Sequence, residues 1–397
     1  MDKYIRDNVH GDIHLKDKVA IELIDTKEFQ RLRRIIQLGG GQFVFPGANH
    51  TRFSHCVGVY HVVSKFLANE KISKNISEKD QLLVRIAGLL HDVGHGPFSH
   101  TFESVSSQAH EKYTVDIIVG NTEINQVLKK HSIDPQEVAS IIESKHPNKL
   151  VNQLVSSQLD ADRLDYLVRD SLNTGVNYSN LDIDWIIRNA DSVDDKMVFK
   201  AKTLNALEHY LLGRYYMFKQ IYNHKVSVGF DRTFTSWFRR AKDLYNEGYV
   251  FKNIFMAETL KEIFEEKVCS LENYNKLDDY TMIEFIKTCM YEDDEILKTL
   301  SEMIINRKFL KVKHLNSEQE FEDLKKNYAK ETHKYFFSTI NDERFKIYKK
   351  NNGGKDEKIL LQQGDKLREI TEISEIIRIS PENNEKNLYV FINNNVK

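Results

Sequence analysis

Apolar residues recur at spacings of three and four along much of the chain, the repeat of amphipathic helices. Over 25–38, Phe29, Leu32, Ile35 and Ile36 form such a stripe, with Gln30, Arg31, Arg33 and Arg34 on the opposite face. A solvated helix face is the simplest account of those arginines. Gly39-Gly40-Gly41 then stops the helix, and 42–50 reads as a loop containing Pro46 and Gly47. Phe53, Val57, Tyr60, Val63 and Leu67 give a core face to a helix from Arg52 to about Leu67, with His55 near its start on the side of Arg52. His61 lies elsewhere on that helix, as a packing or surface residue. After a polar connector at 73–80, residues 81–92 are apolar on most sides, which predicts a helix central to the core. Further helices are expected at 108–119, 124–131 and 135–143, the last opened by the cap and first-turn pair Asp134-Pro135. Residues 1–24 read as a short extended or hairpin element feeding a helix.

The segment 151–172 offers Leu154, Leu164, Leu167, Val168 and Leu172 as a buried stripe. Asp162, Tyr166 and Arg169/Asp170 share another face by the same repeat. A single long Tyr-rich helix is expected over 204–228, projecting Arg214 and Tyr222 from one face two turns apart. Beyond about Phe255 the character changes. Residues 256–305 read as helices with acidic connectors. Residues 306–397 are rich in Lys, Asn and Glu, with strand-like runs at 309–313, 358–361 and 388–392. Within this tail 351–355 reads as a turn and the basic run 344–350 as a solvated face. The expected architecture is a mainly α protein: a helical core over 1–255, a helical extension over 256–305 and a small α+β C-terminal lobe over 306–397.

Composition sharpens this picture in three places. Five prolines and few glycines among 397 residues suit helices. A net charge of −2 gives no general attraction to nucleic acid or to a membrane surface. Cys56, Cys269 and Cys289 are scattered without a CxxC spacing, which fits a reducing compartment and argues against a cysteine-based zinc site. No apolar run reaches membrane-spanning length, and the first residues lack a signal-peptide core, so the expected location is cytoplasmic.

Candidate chemistry gathers in 86–100. There an apolar helical run ends in His91-Asp92, Gly94, Gly96 and Pro97 break the helix, and His95 and His100 follow within the turn. Imidazole and carboxylate together suit one divalent ion of the Fe, Mn, Zn, Co or Ni class. Histidines offsetting a helix dipole are the plain alternative. It is the weaker account of three histidines and an aspartate in ten residues. His55, His91-Asp92 and Asp162 are far apart in sequence, yet a bundle can bring them to one interior point. Two imidazoles and two carboxylates would satisfy such an ion and leave positions open. His95, His100 and His110 would then serve as acid/base groups, since imidazole titrates near neutral pH.

The ordered set Arg52-Phe-Ser-His55, Gly-Leu-Leu-His91-Asp92-Val-Gly-His95-Gly-Pro-Phe-Ser-His100 and Asp160-Ala-Asp162-Arg-Leu-Asp-Tyr166-Leu-Val-Arg-Asp170 resembles the H…HD…D pattern of HD-domain metal phosphohydrolases. Within that superfamily, His95-Gly-Pro-Phe-Ser-His100 and the segment 25–52 are similar to the deoxynucleoside triphosphate triphosphohydrolases. The likeness covers about residues 1–240, and the tail matches only loosely. It implies an HD-domain helical bundle with His55, His91, Asp92 and Asp162 as metal ligands. It implies that His100 protonates the leaving 5′-oxygen or steers the attacking water, supported by His95, His110 and Glu103. Arg52, Arg163 and Arg214 would hold the phosphates, with Mg²⁺ accompanying them. Gln37, Leu38, Tyr166, Asp170 and Tyr222 would frame the deoxyribose and base.

Family members are often homo-oligomers, here a dimer or tetramer, activated by a guanine nucleotide or dNTP between subunits. Asp25, Gln30 and Arg33 match positions that read such an effector. Departures from the family pattern are Glu103 where Asp is frequent, Arg163 where Lys is common, and Arg6 in the N-terminal loop. The activity so implied is hydrolysis of a dNTP to deoxynucleoside and inorganic triphosphate. Two rivals are an HD phosphohydrolase acting on another nucleotide or a nucleic-acid end, and a nucleotide-gated oligomeric binding protein.

Overall fold

A computed structural model describes residues 2–330, 333–339, 347–348, 358–378 and 389–393. The turn at 351–355 and, save for residues 347 and 348, the basic run at 344–350 lie outside the described residues. The chain opens with an antiparallel hairpin, β1 (Lys3–Asp7) on β2 (Gly11–Leu15), with Lys3 opposite Leu15. The helices that build the site are α1 (Arg52–Ala68), α2 (Glu78–Leu90), α3 (His110–Val119), α4 (Ala161–Thr174), α5 (Leu204–Met217) and α6 (Lys225–Asn246). α1 lies between α2 and α4, whose starts are fixed locally. Ser77 accepts from Asp80 N ahead of α2, and Asp160 accepts from Arg163 N ahead of α4. Gly58 lets α1 and α4 meet closely. A Cβ there would lie 1.9 Å from Asp165 Oδ1 and 2.4 Å from Arg169 Nη2.

Two apolar clusters share the interior. The first joins the hairpin, α1, α2, α4 and α5 with Leu361, Ile370 and Ile377 of the tail. The second surrounds Phe230, Phe234, Trp237 and Phe238 of α6 with α7 (Ile254–Phe264), α8 (Asp279–Cys289) and α9 (Glu295–Ile305). Phe98, Phe102 and Tyr113 belong to this second cluster, so the turn after α2 sits on the seam between the two. Strands of the tail divide likewise. Leu360–Gln363 adds in parallel to Lys196–Lys200, whereas Lys311–His314, Tyr389–Ile392 and Phe337–Thr339 form a separate three-stranded sheet.

Four local expectations are corrected. The helix over 25–38 is only Lys27–Arg31 with a tight turn at Leu32–Arg34. Beyond it Ile35 is extended, because its carbonyl accepts from Arg52 N (2.9 Å) and the next amide, Ile36 N, donates to Asp279 (2.9 Å). Arg31 is not on a solvated face; it is 1% exposed and donates to backbone carbonyls. The segment 151–172 is broken between Lys149–Val155 and α4, and Leu172 stands 53% exposed rather than in the stripe. The helix expected over 204–228 is interrupted by a π turn at Phe218–Tyr222 before α6 begins.

Candidate metal centre and active-site cavity

His55, one turn into α1, is fully buried, and Asp165 of α4 accepts from its Nδ1 at 2.8 Å. His91 follows the last residue of α2 and donates through Nδ1 to Gly88 O at 2.9 Å. Both rings are therefore held by one nitrogen and aim the other, Nε2, at the same point. There Asp162 Oδ1 lies 3.1 Å from His55 Nε2 and 3.5 Å from His91 Nε2. Asp92 closes the group at 3.6 Å from His55 Nε2 and 3.4 Å from His91 Nε2. Both Nε2 atoms are buried without a hydrogen bond. His55, His91 and Asp92 each bring a ligand atom within 4.8 Å of the others. Buried, unpartnered imidazole nitrogens facing carboxylates are what a divalent cation requires, so these residues fit one. His55, His91, Asp92 and Asp162, expected together from sequence, do converge.

Charges around the centre are arranged in depth. Burial is the largest influence on His55 and lowers its pKa, but Asp162 and Asp165 outweigh it and leave the imidazole raised to about 10. Burial likewise resists ionisation of Asp162, yet His55 and His91 hold its carboxyl far below the usual range. Behind them Asp165 also accepts from His10 (2.7 Å) and Arg169 (2.8 Å), and Arg169 reaches Asp7 of β1 (2.8 Å). Arg169 thus faces away from Asp162, Tyr166 and Asp170, which line a common cavity. His10, Asp7 and Asp165 escaped the sequence reading; their signal, a buried charge at helical spacing in α4, acquires meaning only through contacts far along the chain.

Beside the centre stand three further histidines. His95 is 1% exposed, with Nε2 3.4 Å from Asp92 Oδ1 and its ring stacked on His110 at 3.7 Å. Burial, followed by the charges of Arg52 and His110, depresses its pKa well below the usual value and keeps it neutral. Glu103 accepts from Nδ1 of His100 (3.1 Å) and from Nδ1 of His110, so one carboxylate orients both rings. Glu103 itself is held far below the ordinary glutamate range, burial being overcome by His100 and His110. Its pairing with His110 is therefore made despite Glu at this position.

A cavity of about 600 Å³ opens over these groups. Gln37, Leu38, Arg52, Tyr166, Asp170 and Tyr222 line it. Asp170 is fixed by Tyr222 Oη (2.8 Å) and His50 Nε2 (2.7 Å), the latter another residue sequence reasoning missed. Arg52 pairs with Asp92 and donates to Ser99 Oγ at 3.0 Å. Arg163 and Arg214 are absent from the lining: Arg163 pairs with Asp160, and Arg214 donates to Gln158 Oε1 at 3.1 Å. The opposite wall is a polar stripe of α6, Ser227, Asp231, Arg232 and Thr235, which was not foreseen. Arg232 makes no hydrogen bond or ion pair among the described residues, and its Nε is buried. Asp25, Gln30 and Arg33 lie outside this cavity. Asp25 pairs with Lys3, Gln30 donates to Ile24 O, and Arg33 donates to Gln30 while stacking 3.5 Å over the Phe53 ring.

A helical bundle that gathers His, His-Asp and Asp from separate helices defines an HD-type, metal-dependent phosphohydrolase. The HD domain matches residues 52–170, and the HD associated region matches 181–247. The chain belongs to the HD-domain family that includes the deoxynucleoside triphosphate triphosphohydrolases. It is similar to the uncharacterized protein YwfO of Bacillus subtilis, 42% identical over 80% of this chain and 73% of that one. Human deoxynucleoside triphosphate triphosphohydrolase SAMHD1 is 31% identical over 76% of this chain, which spans 53% of that protein's length. The crystal structure of a phosphohydrolase from Bacteroides thetaiotaomicron superposes with a TM-score of 0.86 at 30% identity, covering 99% of this chain and 100% of that one. Among the described residues no helix is long and apolar enough to cross a membrane.

Proposed function

We propose that this protein hydrolyses deoxynucleoside triphosphates to deoxynucleoside and inorganic triphosphate. The observation carrying the reading is the cavity in which Asp92 and Asp162, the carboxylates of the His55–His91–Asp92–Asp162 cluster, share a lining with an Asp170 carboxylate held by His50 and Tyr222. His55, His91, Asp92 and Asp162 would hold the ion. When bound, a divalent cation offsets phosphate charge and lowers the pKa of water.

The remaining steps belong to the chain. Asp170 accepts the sugar 3′-hydroxyl, and Tyr166, one turn away on α4, packs at C2′ and excludes a ribose hydroxyl. Gln37 and Leu38 border the sugar and base. Water oxygen bonds to the α-phosphorus, the bond from that phosphorus to O5′ breaks, and His100 delivers a proton to O5′. Glu103 orients His100 and His110, the neutral His95 accepts a hydrogen bond from the water, and the proton the water gives up passes to solvent, from which His100 is reprotonated. Arg52 and Arg232 meet phosphate oxygens directly. Arg163 and Arg214, near enough to Tyr166 to offset part of the burial that raises its pKa, add positive potential at that end.

Asp25, Gln30 and Arg33 are the proposed effector contacts for a guanine nucleotide or dNTP in a cytoplasmic homo-oligomer. Arg33 rests on Phe53, the neighbour of Arg52, which gives such a site a short path to the cavity. The test is incubation of the purified protein and Mn²⁺ with each dNTP and NTP, with product analysis. Intact inorganic triphosphate and deoxynucleoside are expected. Release of orthophosphate or pyrophosphate would establish the other hydrolase reading instead. Nucleotide binding without turnover would establish the binding-protein reading.

A further inference from the structure

The turn carrying His95 and His100 is fastened by residues that lie outside both matched family regions. Tyr274 donates its hydroxyl to Gly94 O at 2.7 Å. Arg31 donates through Nη2 to His95 O and through Nε to Leu277 O, both at 2.8 Å. Asp279, the first residue of α8, accepts Phe98 N at 2.6 Å on one oxygen and Ile36 N at 2.9 Å on the other. None of these three side chains is more than 3% exposed.

The backbone they hold is unusual. Phe98 and Ser99 have φ of 57° and 56°, the left-handed region that residues with side chains avoid unless their surroundings impose it. Ser99 then spans the same two segments as Asp279. Its hydroxyl donates to Ile36 O (2.7 Å) and accepts from Arg52 Nε (3.0 Å). Without an acceptor at position 279, two buried amides lose their partner, and the turn is free to relax towards ordinary backbone angles. His95 and His100 flank the strained pair, so relaxation would displace both imidazoles from Asp92 and Glu103.

We infer that Asp279 is a positioning residue, which with Tyr274 and Leu277 sets the backbone of the Gly94–Ser99 turn and thereby the aim of His95 and His100. This rests on reading those two histidines as the acid/base groups. It assigns the helical region after α7 a share in the active site, although that region contributes no side chain to the reacting atoms. Asp278 supplies the internal control. It caps α8 by accepting from Thr281 N (2.9 Å) and pairs with Arg34 (2.5 Å), and among the described residues it makes no hydrogen bond or ion pair with the turn.

The experiment compares the full-length wild type with Asp279→Ala, Asp279→Asn and Asp278→Ala, measuring kcat, KM, metal content and Tm. Asp279→Ala should lower kcat at least tenfold, with KM and metal content within twofold. Asp279→Asn, which keeps the shape and one acceptor oxygen, should fall between it and the wild type and serves if the alanine variant does not fold. Asp278→Ala should lose Tm yet keep kcat within twofold. The inference is overturned if both Asp279 variants keep kcat within twofold, or if Asp278→Ala loses turnover equally. If the wild type hydrolyses no dNTP, the proposed function fails while the positioning claim is still decided by the NMR resonances of His95 and His100. These should shift in Asp279→Ala and not in Asp278→Ala, and unshifted resonances overturn the claim.

Discussion

In the proposed reaction His100 delivers the proton and Arg232 meets the phosphate charge. His100→Ala should retain metal while kcat falls by roughly 100-fold or more, the usual contribution of a placed acid or base. A wild-type rate would remove His100 from the mechanism. Arg232→Ala should raise KM about tenfold at similar kcat, as expected from losing roughly 1.5 kcal/mol of a charged hydrogen bond. An unchanged KM would leave its guanidinium without a part in binding. These two residues also mark the limit of the sequence. His100 was legible because it follows His91-Asp92 and His95 within a few positions, where imidazole, carboxylate and glycine cannot be explained by packing alone. Arg232 was not, since an arginine inside an amphipathic helix looks solvated until Thr101 and Ser104 close over the same wall. Asp165 was hidden for a related reason, because its buried charge is balanced by His10, His55 and Arg169 rather than by near neighbours alone.

At the scale of elements, periodicity and apolar content located α1, α2 and α3 closely, since α1 and α2 are buried on most sides and no break in phase interrupts any of the three. It failed where the phase slips. The π turn at Phe218–Tyr222 inserts an extra residue per turn between α5 and α6, and no hydrophobic repeat reports this. Its consequence lies in the cavity, because it turns Tyr222 onto Asp170 at 2.8 Å. Deleting the exposed Lys219 should restore a regular α-helical phase and rotate Tyr222 by about 100°. The expected result is a raised KM for deoxynucleotides with metal content unchanged, read by steady-state kinetics and metal analysis. Unaltered KM would show that Tyr222 does not frame the substrate. The short helix at Lys27–Arg31 failed for another reason: backbone groups at Ile35 and Ile36 are taken by Arg52 and Asp279, partners that no local pattern contains.

Across the whole molecule, the site lies where two apolar clusters meet. The hairpin and α1, α2 and α4 bring His55, His91, Asp92 and Asp162 together from the first cluster. The turn bearing His95 and His100 is packed through Phe98 and Phe102 into the second. The sequence implied a helical core carrying an HD-type centre because its motif residues follow in order, and their convergence needs only a bundle. It did not imply the division of the tail between two sheets, since strands without a turn partner nearby do not announce where they pair. The His55–His91–Asp92–Asp162 cluster has the donors of a single cation site, and metal analysis of the purified protein reads its occupancy. Wild type should carry about one divalent transition-metal ion per chain after dialysis, and Asp162→Ala, purified alongside it, should carry almost none. A folded Asp162→Ala protein with full wild-type metal content would contradict the centre described here.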